Sequence, residues 1–202
     1  MKTLIETQYF SPIPVFSQIA LNDTGIIVEQ FEHYQKRSFR NKCTIATANG
    51  LQVLTIPLVS GKNAQQLIRD VKISDEDRWQ AIHWQAIRSA YGKSPFFEYY
   101  SDYFEPLYAK KQVFLFDFNF ELLNLVLKLL KMEIPVECST AYYKSHDSAG
   151  DVVDCRNQFS KITTETVAKK YPQVFEDRHG FIPFLSIIDL LFCMGPNSKL
   201  YF

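Results

Sequence analysis

The chain has 202 residues, 47% hydrophobic and 15% aromatic, and its 22 basic side chains balance 22 acidic ones. Zero formal net charge gives no general attraction to nucleic acid, and no apolar run approaches the roughly 20 residues of a membrane span. With no signal-peptide pattern and four scattered cysteines, we expect a cytoplasmic protein with reduced thiols, folded as a single domain over residues 1–202. No metal-ligand spacing and no Gly-rich phosphate loop is present, so we expect no metal and no cofactor.

The N-terminal region alternates short strands with turns. Thr3–Glu6 and Ile26–Val28 are predicted strands, the second in the interior of a sheet, and Val15–Leu21 is a predicted short helix. Pro12-Ile13-Pro14 predicts a turn before that helix, because proline restricts its own backbone and that of the residue before it. Leu67–Ile73 alternates apolar and polar residues and is predicted to be another strand.

A β-hairpin is predicted at Cys43–Pro57, because Asn49-Gly50 stands between two alternating runs. This dipeptide favours a two-residue type I′ turn, in which both central residues have positive φ. That turn would pair Ala46 with Val53 and place four apolar side chains on one buried face: Cys43, Ile45, Leu54 and Ile56.

A run of cations, aromatic residues and one amide leads into the hairpin, and its polar members are Lys36, Arg37, Arg40, Asn41 and Lys42. Such a pattern suits the binding of a phosphate or carboxylate. It suits equally well the pairing of these cations with nearby acids such as Glu29 and Glu32.

A helix is predicted from Glu76 to Tyr91, where Gly92 ends it. Its apolar stripe is Trp79, Ile82, Ala86, Ile87 and Ala90. His83 falls near the middle of this stripe and should be buried or face a pocket. It is either a core histidine that hydrogen-bonds a backbone group or a catalytic base.

The following segment, Phe96–Tyr108, is rich in phenylalanine and tyrosine. These rings suit core packing, and they would also suit a platform for a sugar or nucleobase. A buried helix capped by Asp117 is predicted to run through Lys131, and Val136–Thr140 is predicted to be a strand that pairs in parallel with an earlier one. The sequence thus predicts an α/β fold, a mixed sheet with the Asn-Gly hairpin packed by several helices.

The C-terminal region begins with a predicted loop, Tyr142–Asn157, and a weakly helical stretch, Gln158–Lys170. The last helix is predicted to run from Pro183 to Cys193. Asp189 lies among its apolar residues, where a carboxylate is costly unless it is paired. Its candidate partners are Arg178, Arg40 and Lys36, and its role is either an ion pair that anchors the helix or a functional acid.

The chain resembles the WbqC-like protein family in several ordered blocks that together span nearly its whole length. The blocks are Gln8–Pro12, Tyr34–Lys42, Leu54–Pro57, Trp79…His83…Ile87…Tyr91 with Pro95-Phe96-Phe97, and His179–Phe192. The chain is similar to a compact branch of that family. The resemblance implies a role in the biosynthesis of polysaccharide of the O-antigen type, with glycine transfer as the suggested activity.

The leading hypothesis is therefore a transferase that adds an aminoacyl group such as glycine to a sugar or sugar-linked substrate. The candidate catalytic residues are His83, as general base, and Asp189. The candidate substrate-binding residues are Lys36, Arg37, Arg40, Asn41 and Trp79. The alternative is a non-catalytic binding or assembly protein that docks a partner or glycan through an aromatic-rich surface. Convergence of the polar residues on one pocket would favour the enzyme.

Overall fold

A parallel β-sheet forms the centre of the protein. The computed structural model describes residues 1–22, 24–59, 65–75, 77–144, 151–160 and 169–202. In these ranges the sheet has four strands, in the order β5-β2-β1-β6, and every pairing is parallel. The strands are β1 (Lys2–Glu6), β2 (Ile26–Glu29), β5 (Val136–Cys138) and β6 (Val152–Asp154).

The N-terminal elements follow the sequence prediction closely. β1 and β2 are rich in Ile and Leu and are almost fully buried, as expected of parallel strands covered on both faces. Helix α1 (Ile13–Leu21) connects them. The turn predicted at Pro12–Pro14 is wrong in part, because Pro14 lies in the first turn of α1, where its missing N–H needs no partner.

The predicted hairpin is present, as β3 (Lys42–Thr47) and β4 (Gly50–Thr55). Its predicted register is wrong by two residues: Ala46 pairs with Leu51, and Thr47 with Gly50. The turn therefore contains Ala48 and Asn49, and only Gly50 takes positive φ, 101°. Because side chains alternate with a period of two, this shift leaves the predicted apolar face intact, and all four of its members are buried: Cys43, Ile45, Leu54 and Ile56.

The strand predicted at Leu67–Ile73 is wrong. Residues Ile68–Asp70 form a 3₁₀ turn, and the segment after it makes only isolated bridges, from Lys72 to Phe114 and from Ile73 to Leu58. Ile68 and Val71, three residues apart, are both fully buried. That spacing follows the three-residue period of a 3₁₀ turn.

Three helices follow the hairpin: α2 (Trp79–Tyr91), α3 (Phe97–Ala109) and α4 (Leu115–Leu129). α2 packs against β3 and α3, and α4 packs against the 3₁₀ turn Ile68–Asp70. α2 ends before Gly92 as predicted, but Ile82 is exposed rather than part of the apolar stripe. α4 begins after Phe114 rather than at Asp117. The parallel pairing predicted for the strand after α4 is confirmed by the ladder between β5 and β2.

The C-terminal region differs most from the prediction. β6 lies within the predicted loop Tyr142–Asn157, because pairing with β1 makes a strand of the short apolar pair Val152-Val153. Part of the loop (145–150) and most of the predicted weak helix (161–168) lie outside the described residues.

Two helices follow, α5 (Glu176–His179) and α6 (Ile187–Met194). The last helix does not begin at Pro183, because Ser186 bridges to Pro12 and its N–H bonds to the carbonyl of Thr44. The buried side chains of the sheet, hairpin and helices form one cluster. None of the helices described is long and apolar enough to cross a membrane.

Candidate functional site at the carboxyl edge of the sheet

The strand order places a crevice beside β1. From β1 the chain passes through α1 to β2 on one side, and β5 lies beyond β2, whereas β6 pairs with the opposite edge of β1. In open parallel sheets, ligands bind outside the carboxyl ends of the strands, at the point where the strand order reverses. Here that point lies beyond Glu6 of β1 and Asp154 of β6.

Three strands end in a carboxylate at this edge: Glu6, Glu29 and Asp154. Glu6 and Glu29 are partners in the β1–β2 ladder, and both are buried. Glu6 accepts hydrogen bonds from the Gln8 side chain at 2.7 Å and from the backbone N–H of Asn157 at 2.9 Å. The two carboxylates are therefore held close together in a water-poor environment, where charge must be balanced locally.

Arg156 ties two of these strand ends together. Its guanidinium donates to Asp154 at 2.7 and 3.0 Å and to Glu29 at 3.2 Å, and it lies over the ring of Tyr142. Glu29 also accepts hydrogen bonds from the hydroxyl of Ser139 and from backbone N–H groups. Burial raises the pKa of Asp154, but its hydrogen bonds and ion pair with Arg156 outweigh that effect and lower it overall.

A second buried guanidinium, that of Arg40, hydrogen-bonds to two residues that line the crevice. It donates to both oxygens of Glu32, at 2.8 and 2.7 Å, and to the side-chain oxygen of Asn157 at 3.0 Å. Arg40 is fully buried. Burial raises the pKa of Glu32, although Arg40 acts in the opposite direction. The pair is thus rigid and bidentate, the geometry in which arginine binds a carboxylate best.

These groups surround a cleft of about 380 Å³ lined by Glu32, His33, Tyr34, Gln35, Tyr142, Asp154, Arg156 and Asn157. This volume is that of a small-molecule site. Two carboxylates, of Glu32 and Asp154, and one guanidinium, of Arg156, line the cleft. Two further buried carboxylates, Glu6 and Glu29, accept hydrogen bonds from the lining residues Asn157 and Arg156. His33 is exposed and lines the cleft.

The cationic run predicted to bind an anion divides into exposed and buried members. Lys36 and Arg37 are exposed, and neither pairs with a carboxylate among the described residues. Arg40 pairs with Glu32, one of the two acids that sequence analysis weighed as partners for the cations. Asn41 accepts from Tyr34 at 3.0 Å and donates to a backbone carbonyl at 3.0 Å, so both ends of its amide are used inside the fold.

His83 and Trp79 lie in the core, away from the cleft. The Nδ1 atom of His83 lies 2.9 Å from the hydroxyl of Tyr9, which lies 2.6 Å from that of Tyr108. Trp79 packs edge-on against His83 and Phe118. Burial lowers the pKa of His83 to about 4, although a hydrogen bond with the backbone of Thr55 acts to raise it.

The buried position of His83 has a measurable consequence for stability. Its pKa is about 4 in the folded protein and ordinarily about 6.5 in an unfolded chain, so between these values the unfolded state binds more protons. We expect the free energy of unfolding of the wild type, relative to that of His83→Gln, to rise by about 3 kcal/mol from pH 4 to pH 6.5. Urea unfolding at several pH values measures this difference. A difference that does not change with pH would contradict the core assignment.

Asp189, in α6, is also buried, and it does not line the cleft. Its carboxylate accepts a 2.7 Å hydrogen bond from Tyr171 and a 3.5 Å one from Gln173. Among the described residues no cation contacts it, so the predicted ion pair is wrong: the hydroxyl of Tyr171 and the amide of Gln173 take the place of Arg178, Arg40 and Lys36. Burial raises its pKa to about 6, and the hydrogen bonds that it accepts offset that effect only in part.

None of the seven predicted site residues lines the cleft, but Arg40 and Asn41 hydrogen-bond to residues that do: Glu32, Asn157 and Tyr34. The cleft itself was missed, although the sequence carries a signal for three carboxylates at this edge of the sheet. Each acid follows two apolar residues: Leu4-Ile5-Glu6, Ile27-Val28-Glu29 and Val152-Val153-Asp154. Recognising the third as a strand would have placed all three acids at one sheet edge. The described residues contain no group of three or more His, Cys, Asp or Glu side chains arranged to hold a metal ion.

The fold and the cleft define an α/β protein with a polar site at the carboxyl edge of a parallel sheet. The sequence model of the WbqC-like protein family matches residues 7–167, and the chain belongs to that family, as its resemblance predicted. It is 28% identical over 223 aligned positions to the uncharacterized protein Rv1507c of Mycobacterium tuberculosis (strain ATCC 25618 / H37Rv), covering 98% of this chain and 95% of the relative. No solved structure matches the chain.

Proposed function

We propose that the protein is a transferase of polysaccharide biosynthesis, and that the cleft beside Asp154 binds the amino group of an aminoacyl or amino-sugar substrate. The observation that carries the proposal is a small-molecule cleft at the switch point of the sheet whose lining has two carboxylates, Glu32 and Asp154, and one guanidinium, Arg156. An ammonium group can balance the negative charge of the carboxylates that Arg40 and Arg156 do not neutralise. This chemistry agrees with the glycine transfer that the family resemblance implies.

Asp154 is the carboxylate best placed to meet a ligand. Its side chain is 24% exposed, whereas those of Glu29 and Glu32 are 0% and 6% exposed. Arg156 donates hydrogen bonds to both oxygens of Asp154, which fixes this carboxylate in place and lowers its pKa. A fixed, ionised carboxylate can bind an ammonium group without reorganising, and this supports affinity.

His33 supplies the proton acceptor that the reaction needs. An ammonium must lose a proton before its nitrogen can attack the carbonyl carbon of an activated aminoacyl ester. The imidazole of His33 accepts the ammonium proton, and the free amine then attacks: the C–N bond forms and the bond to the ester oxygen breaks. The second proton lost from the nitrogen passes to that oxygen, which leaves as an alcohol. Sequence analysis predicted His83 for this role, and that role stays a prediction. The burial of His83 and its pKa of about 4 favour His33 as the proton acceptor instead.

Calorimetric titration with glucosamine, at a pH where its amine is protonated, tests the proposal. We expect glucosamine to bind, N-acetylglucosamine to bind at least about tenfold more weakly, because its amine is uncharged, and Asp154→Asn to weaken glucosamine binding by a similar factor. Asp102→Asn, an exposed change on α3, is the matched control and should leave binding unchanged. Equal affinity for both sugars, or no binding of either, would reject the proposal.

A second candidate function, glycan or partner docking, is favoured by one surface. Tyr99 and Tyr103, one turn apart on α3, are 72% and 49% exposed. Exposed aromatic rings stack on sugar faces or dock on partner surfaces. The same titration separates the two functions: binding of N-acetylglucosamine that is lost in Tyr99→Ser and kept in Asp154→Asn would favour docking.

A further inference from the structure

A second cavity is larger than the cleft at the carboxyl edge of the sheet, here called the acidic cleft. Its charged lining residues are all cations. It measures about 720 Å³ and lies between the C-terminal end of α2, the segment Pro172–Phe175 and the tip of the hairpin. Arg88, Lys93 and Arg178 all line it, and no carboxylate is among its described lining residues. It shares no lining residue with the acidic cleft, so it is a separate site.

The three cations have no carboxylate partner. All three are exposed, and none forms an ion pair within the part of the chain that the structure describes. Arg88 alone could be explained by the helix dipole, since it lies in the last turn of α2, where a cation is stabilising. Lys93 lies beyond the end of α2, and Arg178 belongs to α5, which has only four residues and therefore a small dipole, so the helix dipole does not explain the whole group. Water and salt screen the repulsion among these exposed cations, but together they make the concavity attractive to an anion.

The walls of this groove are fixed by specific hydrogen bonds. The imidazole of His179 bonds to backbone carbonyls of Thr47 and Ala48 at 3.2 and 3.3 Å, which secures the hairpin tip against α5. Gln173 exchanges two 2.8 Å hydrogen bonds with the backbone of Ile182. A preformed groove loses little conformational entropy when a ligand enters, so its cations can contribute to affinity.

We propose that this groove is an anion site that binds the diphosphate group of a small molecule. Three unpaired cations match the two to three negative charges of a diphosphate, and guanidinium groups bind phosphate oxygens through paired hydrogen bonds. The concave shape and limited length suit a small ligand better than a nucleic-acid strand, which needs an extended basic stripe. Cys193 lines the groove, but burial raises the pKa of its thiol, so the groove binds rather than forming a covalent bond.

Titration of the wild type with inorganic pyrophosphate, uridine diphosphate and glucose 1-phosphate tests the proposal and distinguishes the sources of the phosphate. We expect the diphosphates to bind more tightly than the monophosphate and more weakly as salt is raised. Tighter binding of uridine diphosphate than of pyrophosphate identifies a nucleotide ligand; the reverse identifies a free diphosphate.

The variants Arg88→Ala and Arg178→Ala should each weaken binding by about tenfold, the loss expected for one charge-assisted contact. Arg78→Ala, an exposed arginine at the opposite end of α2, is the matched control and should bind as the wild type does. All three positions are exposed, and thermal unfolding checks that the variants fold. The absence of diphosphate binding, equal weakening by Arg78→Ala, or tighter binding of a single-stranded oligonucleotide would overturn the proposal. Arg88→Ala and Arg178→Ala should leave the binding of glucosamine unchanged, so failure of this proposal and failure of the proposed function can be told apart.

Discussion

Replacing Arg40 with alanine is expected to lower the free energy of unfolding by about 3–5 kcal/mol, because it leaves the carboxylate of Glu32 buried and unpaired. The pair is bidentate and Arg40 is fully buried, so water cannot replace the lost hydrogen bonds without entering the core. Chemical unfolding of the purified variant measures the loss. Arg37→Ala, three residues earlier and exposed, is the matched control and should change stability by less than about 0.5 kcal/mol.

A double-mutant cycle separates the ion pair from the packing of Arg40. In a Glu32→Gln background, Arg40→Ala leaves no unpaired carboxylate in the core. It should therefore cost about 2 kcal/mol less than it does in the wild type. Lowering the pH should also reduce the cost of Arg40→Ala, because protonation of Glu32 removes the buried charge. Equal costs in the two backgrounds would mean that Arg40 contributes through packing alone.

Asp189→Asn is expected to stabilise the protein at neutral pH by about 3 kcal/mol. The pKa of Asp189 is about 6 in the folded state, against an ordinary value near 4, so ionising it works against folding. In this window the folded state binds more protons than the unfolded state, and the stability of the wild type falls as pH rises from 4 to 6. The gain in Asp189→Asn should therefore be absent near pH 4 and complete above pH 6.

Urea unfolding of the wild type and Asp189→Asn across this range measures the effect, with the exposed change Asp102→Asn as the control. The effect of Asp189 opposes that of His83, whose contribution grows with pH over nearly the same window. The contributions of these two groups should therefore largely cancel in the wild type, and each single variant should reveal the contribution of the group that remains. A variant less stable than the wild type at pH 7 would show that the tyrosine hydrogen bonds stabilise the charged form.

The parts of the fold that sequence analysis predicted well are those set by local periodicity. β1, β2 and the apolar face of the hairpin follow from alternation and β-branched residues, and the burial of His83 follows from helical spacing. The register of the hairpin was missed because Gly50, rather than the Asn-Gly pair, takes the left-handed conformation. A dipeptide signal predicts that a turn exists better than it predicts which residues form it.

The site was harder to predict because it is assembled from distant parts of the chain. Glu29 and Arg156 are 127 residues apart, and the strand that brings Arg156 close has only three residues. So short a strand is stabilised by its neighbours in the sheet rather than by its own propensity. The ion pair of Arg40 with Glu32 spans only eight residues, and that alternative was accessible from the sequence.

The most direct test of the account is a ¹⁵N chemical-shift titration of the protein with glucosamine. If the cleft at the carboxyl edge of the sheet is the substrate site, the largest shifts will fall on the backbone amides of Glu32, His33, Arg156 and Asn157, and Asp154→Asn will reduce them. Shifts centred on α3 near Tyr99, or on the core around His83, would contradict the assignment of the site.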